Sequence, residues 1–106
     1  MLTELQNKRL EKIFSGLKQL DENLIDSKHA YHFLENKMST QGELVVSGNV
    51  EGMIHLACAV LSLTQNTFDG KHRHFDDTGM LDECETPLII SFKSADWDEQ
   101  KLAENT

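Results

Sequence analysis

An α+β fold is what the chain predicts: a small antiparallel sheet of three or four strands packed against helices on one face. Three observations carry that expectation. The N-terminal segment repeats apolar residues at three- and four-residue steps, the period of a helix. The segment from Glu51 to about Leu63 is apolar almost all round, as a core helix is. Short runs bounded by Gly, Asn and Pro, with Leu88-Ile89-Ile90-Ser91-Phe92 the clearest, read as strands. A chain of 106 residues, 39% hydrophobic and 26% charged, suits one domain that buries its own core without metals or disulfides.

Taken in order, Thr3 and Gln6 have the spacing of a capping box that opens the first helix. Leu10, Ile13, Leu17, Leu20 and Leu24, with Phe14 beside them, form its predicted inner face. Lys8, Arg9, Glu11, Lys12 and Lys18 form a solvated outer one. Gly16 weakens it locally. A second helix is expected from Asp26 or Ser27, with Ala30, Phe33, Leu34 and Met38 inward, so that N-terminal helices span about 3–38. Ser39-Thr40-Gln41-Gly42 reads as a loop.

Strands are expected at about 43–47, 71–75 and 87–93, with Pro87 at the entrance of the last. Between the first two lies a helix over about 51–65, capped by Asn49. Its stripe of Met53, Leu56, Val60 and Leu63 is a core stripe, and His55 reads as a hydrogen-bonded structural histidine. Thr78-Gly79 reads as a turn before an acidic loop, and the tail from Ala95 is acidic around Trp97.

Charge narrows the function. Eighteen Asp and Glu face ten Lys and Arg, a net charge of −8. Nucleic acid and anionic membrane surfaces are poor partners for such a chain, and a basic protein is the natural one. The charge is polarised. From Gly70 onward nine acids stand against four bases, whereas the first twenty residues hold four bases and two acids. Asp76, Asp77, Asp82, Glu83, Glu85 and the Asp96-Trp97-Asp98 segment are therefore the candidate partner-binding residues, Trp97 as an aromatic anchor between two acids. The competing reading is that these acids only keep the surface soluble.

Catalysis is not expected. The chain has no G-x-S-x-G, phosphate loop or H-E-x-x-H, and Gly48-Asn49-Val50-Glu51-Gly52 lacks the spacing and lysine of a phosphate loop. His72 and His74 share a strand face, with Asp76 next along it, and make the one metal-like or acid–base cluster visible in the sequence. Histidines on an exposed sheet more commonly bond to neighbours or water. His29 and His32, one helical turn apart, lack a third ligand near them in sequence. No metal or cofactor is expected. Cys58 lies in the apolar helix and Cys84 in the acidic loop, too far apart for a zinc-type pair and too few for a disulfide framework, which points to a reducing compartment. Met1 to Leu5 shows no signal-peptide pattern, so a cytoplasmic location is expected.

Ser47-Gly48-Asn49-Val50-Glu51-Gly52 before His55-Leu56-Ala57, then Gly70-Lys71-His72-Arg73-His74-Phe75-Asp76, the Leu88-Ile89-Ile90 strand and Asp96-Trp97 follow one another in a familiar order. Together they resemble a family of small immunity proteins from bacterial polymorphic-toxin and contact-dependent growth inhibition systems. The resemblance begins at Ser47. It implies an α+β fold and a role in protecting a cell from the toxin made by itself or its kin. It also implies one-to-one binding in the cytosol to a cognate toxin C-terminal domain, in many cases a nuclease. Interface residues vary with the toxin, so the acidic candidates above rest on charge alone. The alternative reading is an adaptor or regulatory module that binds another cellular protein.

Overall fold

The capping box expected at the N-terminus forms: the Thr3 N–H donates to Gln6 Oε1 at 2.9 Å and the Gln6 N–H to Thr3 Oγ1 at 3.1 Å. It opens α1, Glu4–Asp26, which runs unbroken through Gly16. The computed structural model describes residues 2–26, 32–78 and 80–94. After α1 come β1 (Leu34–Met38), β2 (Leu44–Gly48), α2 (Val50–Ser62), β3 (His72–Phe75), β4 (Glu83–Cys84) and β5 (Leu88–Ser91). The chain is α+β, as the sequence predicts.

The sheet differs in detail from the expected antiparallel one. β1 pairs antiparallel with β2 and parallel with β4, giving a mixed three-stranded sheet in the order β2-β1-β4. β3 and β5 form a separate antiparallel pair, with His72 opposite Ser91 and Phe75 opposite Leu88. The second helix expected up to residue 38 is corrected: Leu34–Met38 is a strand. Ala30, placed on that helix, lies outside the described residues. The helical spacing of Phe33, Leu34 and Met38 is coincidental. The positions of β1 that turn inward are Leu34 and Asn36, each 1% exposed. One of the two is polar, which hides the strand's alternation. The loop Ser39–Glu43 then reverses the chain, with Gly42 at φ +81°, a conformation glycine adopts without strain. Ser39 Oγ accepts from the Gln41 and Glu43 N–H groups inside it.

α2 packs against α1 on one side. On the other, its Ala59 joins Leu34, Phe75 and Leu81 in the core, with Val46, Leu56, Met80, Cys84, Leu88 and Ile90 at the edge. That cluster ties the two sheets to one helix. No residue of α1 belongs to it. The inner face of α1 is also shifted from expectation. Leu10, Phe14, Leu17 and Leu24 are half-buried, whereas Ile13 is 61% exposed and Leu20 is exposed too. The buried residue of the stripe is Asp21, 6% exposed.

The Gly48-Asn49-Val50-Glu51-Gly52 segment serves the fold. Asn49 Oδ1 accepts from the Gly52 N–H at 2.8 Å, capping α2, and from the Phe33 N–H at 3.1 Å, while the Asn49 N–H donates to the Phe33 carbonyl. This draws the Phe33 carbonyl so close that a Cβ on Gly48 would lie 2.5 Å from its oxygen and one on Gly52 would collide with it. Both glycines are there for that close approach.

Candidate functional site

The acidic candidates fall into three groups. Asp82, Glu83 and Glu85 flank and form β4, beside β1. Asp82 Oδ2 accepts from the Leu34 N–H at 2.9 Å, and Glu85 Oε2 accepts from the Met38 N–H at 2.8 Å. Two carboxylates thus continue a ladder that a two-residue strand is too short to complete. Lys37 lies 3.5 Å from both Glu35 and Glu83, whose charges raise its pKa above the ordinary lysine value. Buried Asn36 completes the seam: its Nδ2 donates to the Thr86 carbonyl at 2.7 Å, and its Oδ1 accepts from the Glu85 and Thr86 N–H groups. Asp82, Glu83 and Glu85 nevertheless remain exposed residues.

Asp76 and Asp77 lie in the turn after β3. Asp76 Oδ1 accepts from the Thr78 N–H at 3.0 Å and from its hydroxyl at 2.6 Å, and Asp77 is exposed. The expected turn at Thr78-Gly79 includes Gly79, outside the described residues. Asp96, Trp97 and Asp98 also lie outside them.

His72 and His74 do share a face, as alternation requires. Their rings meet edge to face at 4.9 Å, and His72 Nδ1 donates to the Gly70 carbonyl at 2.8 Å. Asp76 is turned to Thr78 instead, so the structure does not assemble the trio seen in the sequence.

It assembles a different one. Asp21 from α1, His32 just before β1 and His55 from α2 place one donor atom each within 4.8 Å of one another. His55 Nδ1 donates to the Asp21 carboxylate, 2.9 Å from Oδ2 and 3.1 Å from Oδ1. His55 is therefore a hydrogen-bonded histidine, as expected, but its partner is an acid from another helix. His32 Nε2 lies 3.6 Å from Asp21 Oδ1, beyond hydrogen-bond reach. It is shut off from water and has no hydrogen-bond partner among the described residues. A buried polar atom left in that state costs about 1–3 kcal/mol. The two imidazoles stand 5.0 Å apart, tilted by 50°.

The cluster borders a shallow cleft of about 190 Å³ lined by Ile25, His32, His55, Met80, Leu81 and Asp82. One turn after His55, burial pushes the Cys58 thiol pKa up, and the Asp21 carboxylate adds to the shift. The sequence carried one clue to this cluster. Asp21 falls in step with Leu10, Phe14, Leu17 and Leu24, so an acid interrupts an apolar stripe.

Among the described residues no helix is long and apolar enough to cross a membrane. No protein-family model matches the chain, and neither a curated protein nor a solved structure matches it.

Proposed function

We propose that this chain is a cytoplasmic immunity protein that binds and neutralises a cognate toxin domain. The favoured toxin is a ribonuclease or other nuclease, and inhibition works by covering its active site or substrate groove. A nuclease groove is basic because it holds phosphates, and an acidic protein surface can occupy it. The observation that carries this reading is the exposed acidic edge along β4. Asp82 and Glu85 are each tied to a β1 backbone N–H, and Glu83 is held near Lys37. Carboxylates already held in place lose less freedom on binding than free side chains do. Asp77 adds a further exposed charge in the turn after β3. The resemblance from Ser47 onward points the same way, toward a binder with no chemistry of its own.

The test is co-expression with the toxin domain encoded beside this chain, followed by growth measurement and co-purification. Rescue of growth with a stable one-to-one complex is the expected result. Asp77→Lys combined with Glu83→Lys spares the two carboxylates that cap β1. It should weaken binding at least about tenfold, mainly by slowing association at low salt. Full protection by that variant would remove the acidic edge from the interface. Rescue without a complex would remove direct inhibition altogether.

A further inference from the structure

We propose that Asp21, His32 and His55 form a binding site for a divalent transition-metal ion, with zinc the ion their donors fit. Two imidazole nitrogens and a carboxylate are a common zinc donor set. Bonds of about 2.0–2.1 Å in a tetrahedral arrangement put neighbouring donors about 3.3 Å apart. His55 Nδ1 lies 2.9 Å, and His32 Nε2 3.6 Å, from the Asp21 carboxylate oxygens, and the three donors all fall within 4.8 Å of one another. The two distances to Asp21 bracket the metal-bound value, and rotation of the imidazoles closes the remaining His32–His55 separation, which is within 4.8 Å.

A second, independent observation points to a ligand. His32 Nε2 is buried and makes no hydrogen bond among the described residues. It stands close enough to Asp21 to share an ion and too far to share a proton. A cation between them gives that nitrogen a partner and gives the buried Asp21 carboxylate a counter-charge. His55 would coordinate as its other neutral tautomer, with the ring proton on Nε2 and the Nδ1 lone pair on the ion, because only the deprotonated nitrogen can coordinate. Three protein ligands leave one tetrahedral position, beside the cleft that Met80, Leu81 and Asp82 also line. The ion would join α1, the segment entering β1 and α2.

The site is tested on the full chain after treatment with a chelator. Calorimetric titration with Zn²⁺ should show one equivalent bound. Co²⁺ should give the visible absorption of a tetrahedral site, and thermal stability should rise with either ion. His32→Ala and Asp21→Asn should each weaken Zn²⁺ binding by at least about tenfold. The double variant His72→Ala with His74→Ala should bind as the parent does. If a ligand variant fails to fold, imidazole ¹⁵N shifts of the parent protein under Zn²⁺ titration replace it: changes confined to His32 and His55 support the site. The proposal is overturned by the absence of saturable binding, or by binding that survives His32→Ala, disappears in the His72/His74 variant, or shifts only the His72 and His74 rings.

Discussion

Asn36 shows how much one side chain can carry. Its amide gives one hydrogen bond and accepts two across the seam between β1 and the segment after β4, at 1% exposure. Removing it takes that partner from the Thr86 N–H and carbonyl and leaves the Glu85 N–H only the backbone carbonyl of residue 36. Asn36→Ala should therefore destabilise the fold by about 3 kcal/mol, read as a lower denaturant midpoint in urea unfolding. A change within about 0.5 kcal/mol would mean that water or a relaxed backbone replaces those bonds. The same scale separates the two acid roles. Asp82 and Glu85 hold β1 backbone N–H groups, whereas Asp77 is bound by no such contact to β1. Composition alone made these acids equal candidates, because a net charge says nothing about which carboxylates already have work inside the fold.

At the scale of elements, the junction from β2 to α2 sets the fold's tightest approach. The Phe33 carbonyl sits between Gly48 and Gly52, and Asn49 clamps the residue by both backbone groups, donating its N–H to that carbonyl and accepting the Phe33 N–H at Oδ1. Gly52→Ala gains about 1 kcal/mol of helix propensity in principle. The added methyl would nonetheless strike a backbone oxygen that cannot move without pulling β1 away. Net destabilisation of about 3 kcal/mol or more is expected in thermal or urea unfolding. Gly16→Ala, where nothing lies within 4 Å of the new Cβ, should instead leave stability unchanged or raise it. A stabilised Gly52→Ala protein would show that the approach of Phe33 is looser than the geometry states. Propensity reads both glycines alike. Only the neighbouring strand distinguishes them.

Over the whole molecule, stability is unevenly spread. The core of Leu34, Ala59, Phe75 and Leu81 binds both sheets to α2 and leaves α1 outside. α1 packs on α2 alone among its main contacts, through half-buried side chains and the Asp21–His55 bond. Most of a helix's stability in a protein comes from its packed face, and that of α1 is only half-buried. Amide hydrogen exchange should therefore show α1 opening at lower free energy than β1 and α2, with equal protection throughout as the result that sinks the idea. Cys58 is buried close enough to α1 for the Asp21, Lys18 and Glu22 charges to act on its thiol, so its alkylation should track α1 exchange and not global unfolding.

Much of the local structure was legible in the chain. The capping box at Thr3 and Gln6, the Asn49 cap, the apolar α2 and the strands β2, β3 and β5 all follow from short-range rules of hydrogen bonding and periodicity, which act within one element. The α+β class follows from their order. The strand β1 was not legible, because its inward Asn36 breaks the apolar alternation and one of its two partner strands, β4, lies forty-odd residues further along the chain. Nor was the Asp21–His32–His55 cluster. His32 has no third ligand nearby in sequence, and the chain's own spacing drew attention to His72, His74 and Asp76 instead. Donors join a site by distance in space. The packing of α1 on α2 and the entry into β1 supply that distance, and both are decided only when the apolar faces of separate elements bury one another.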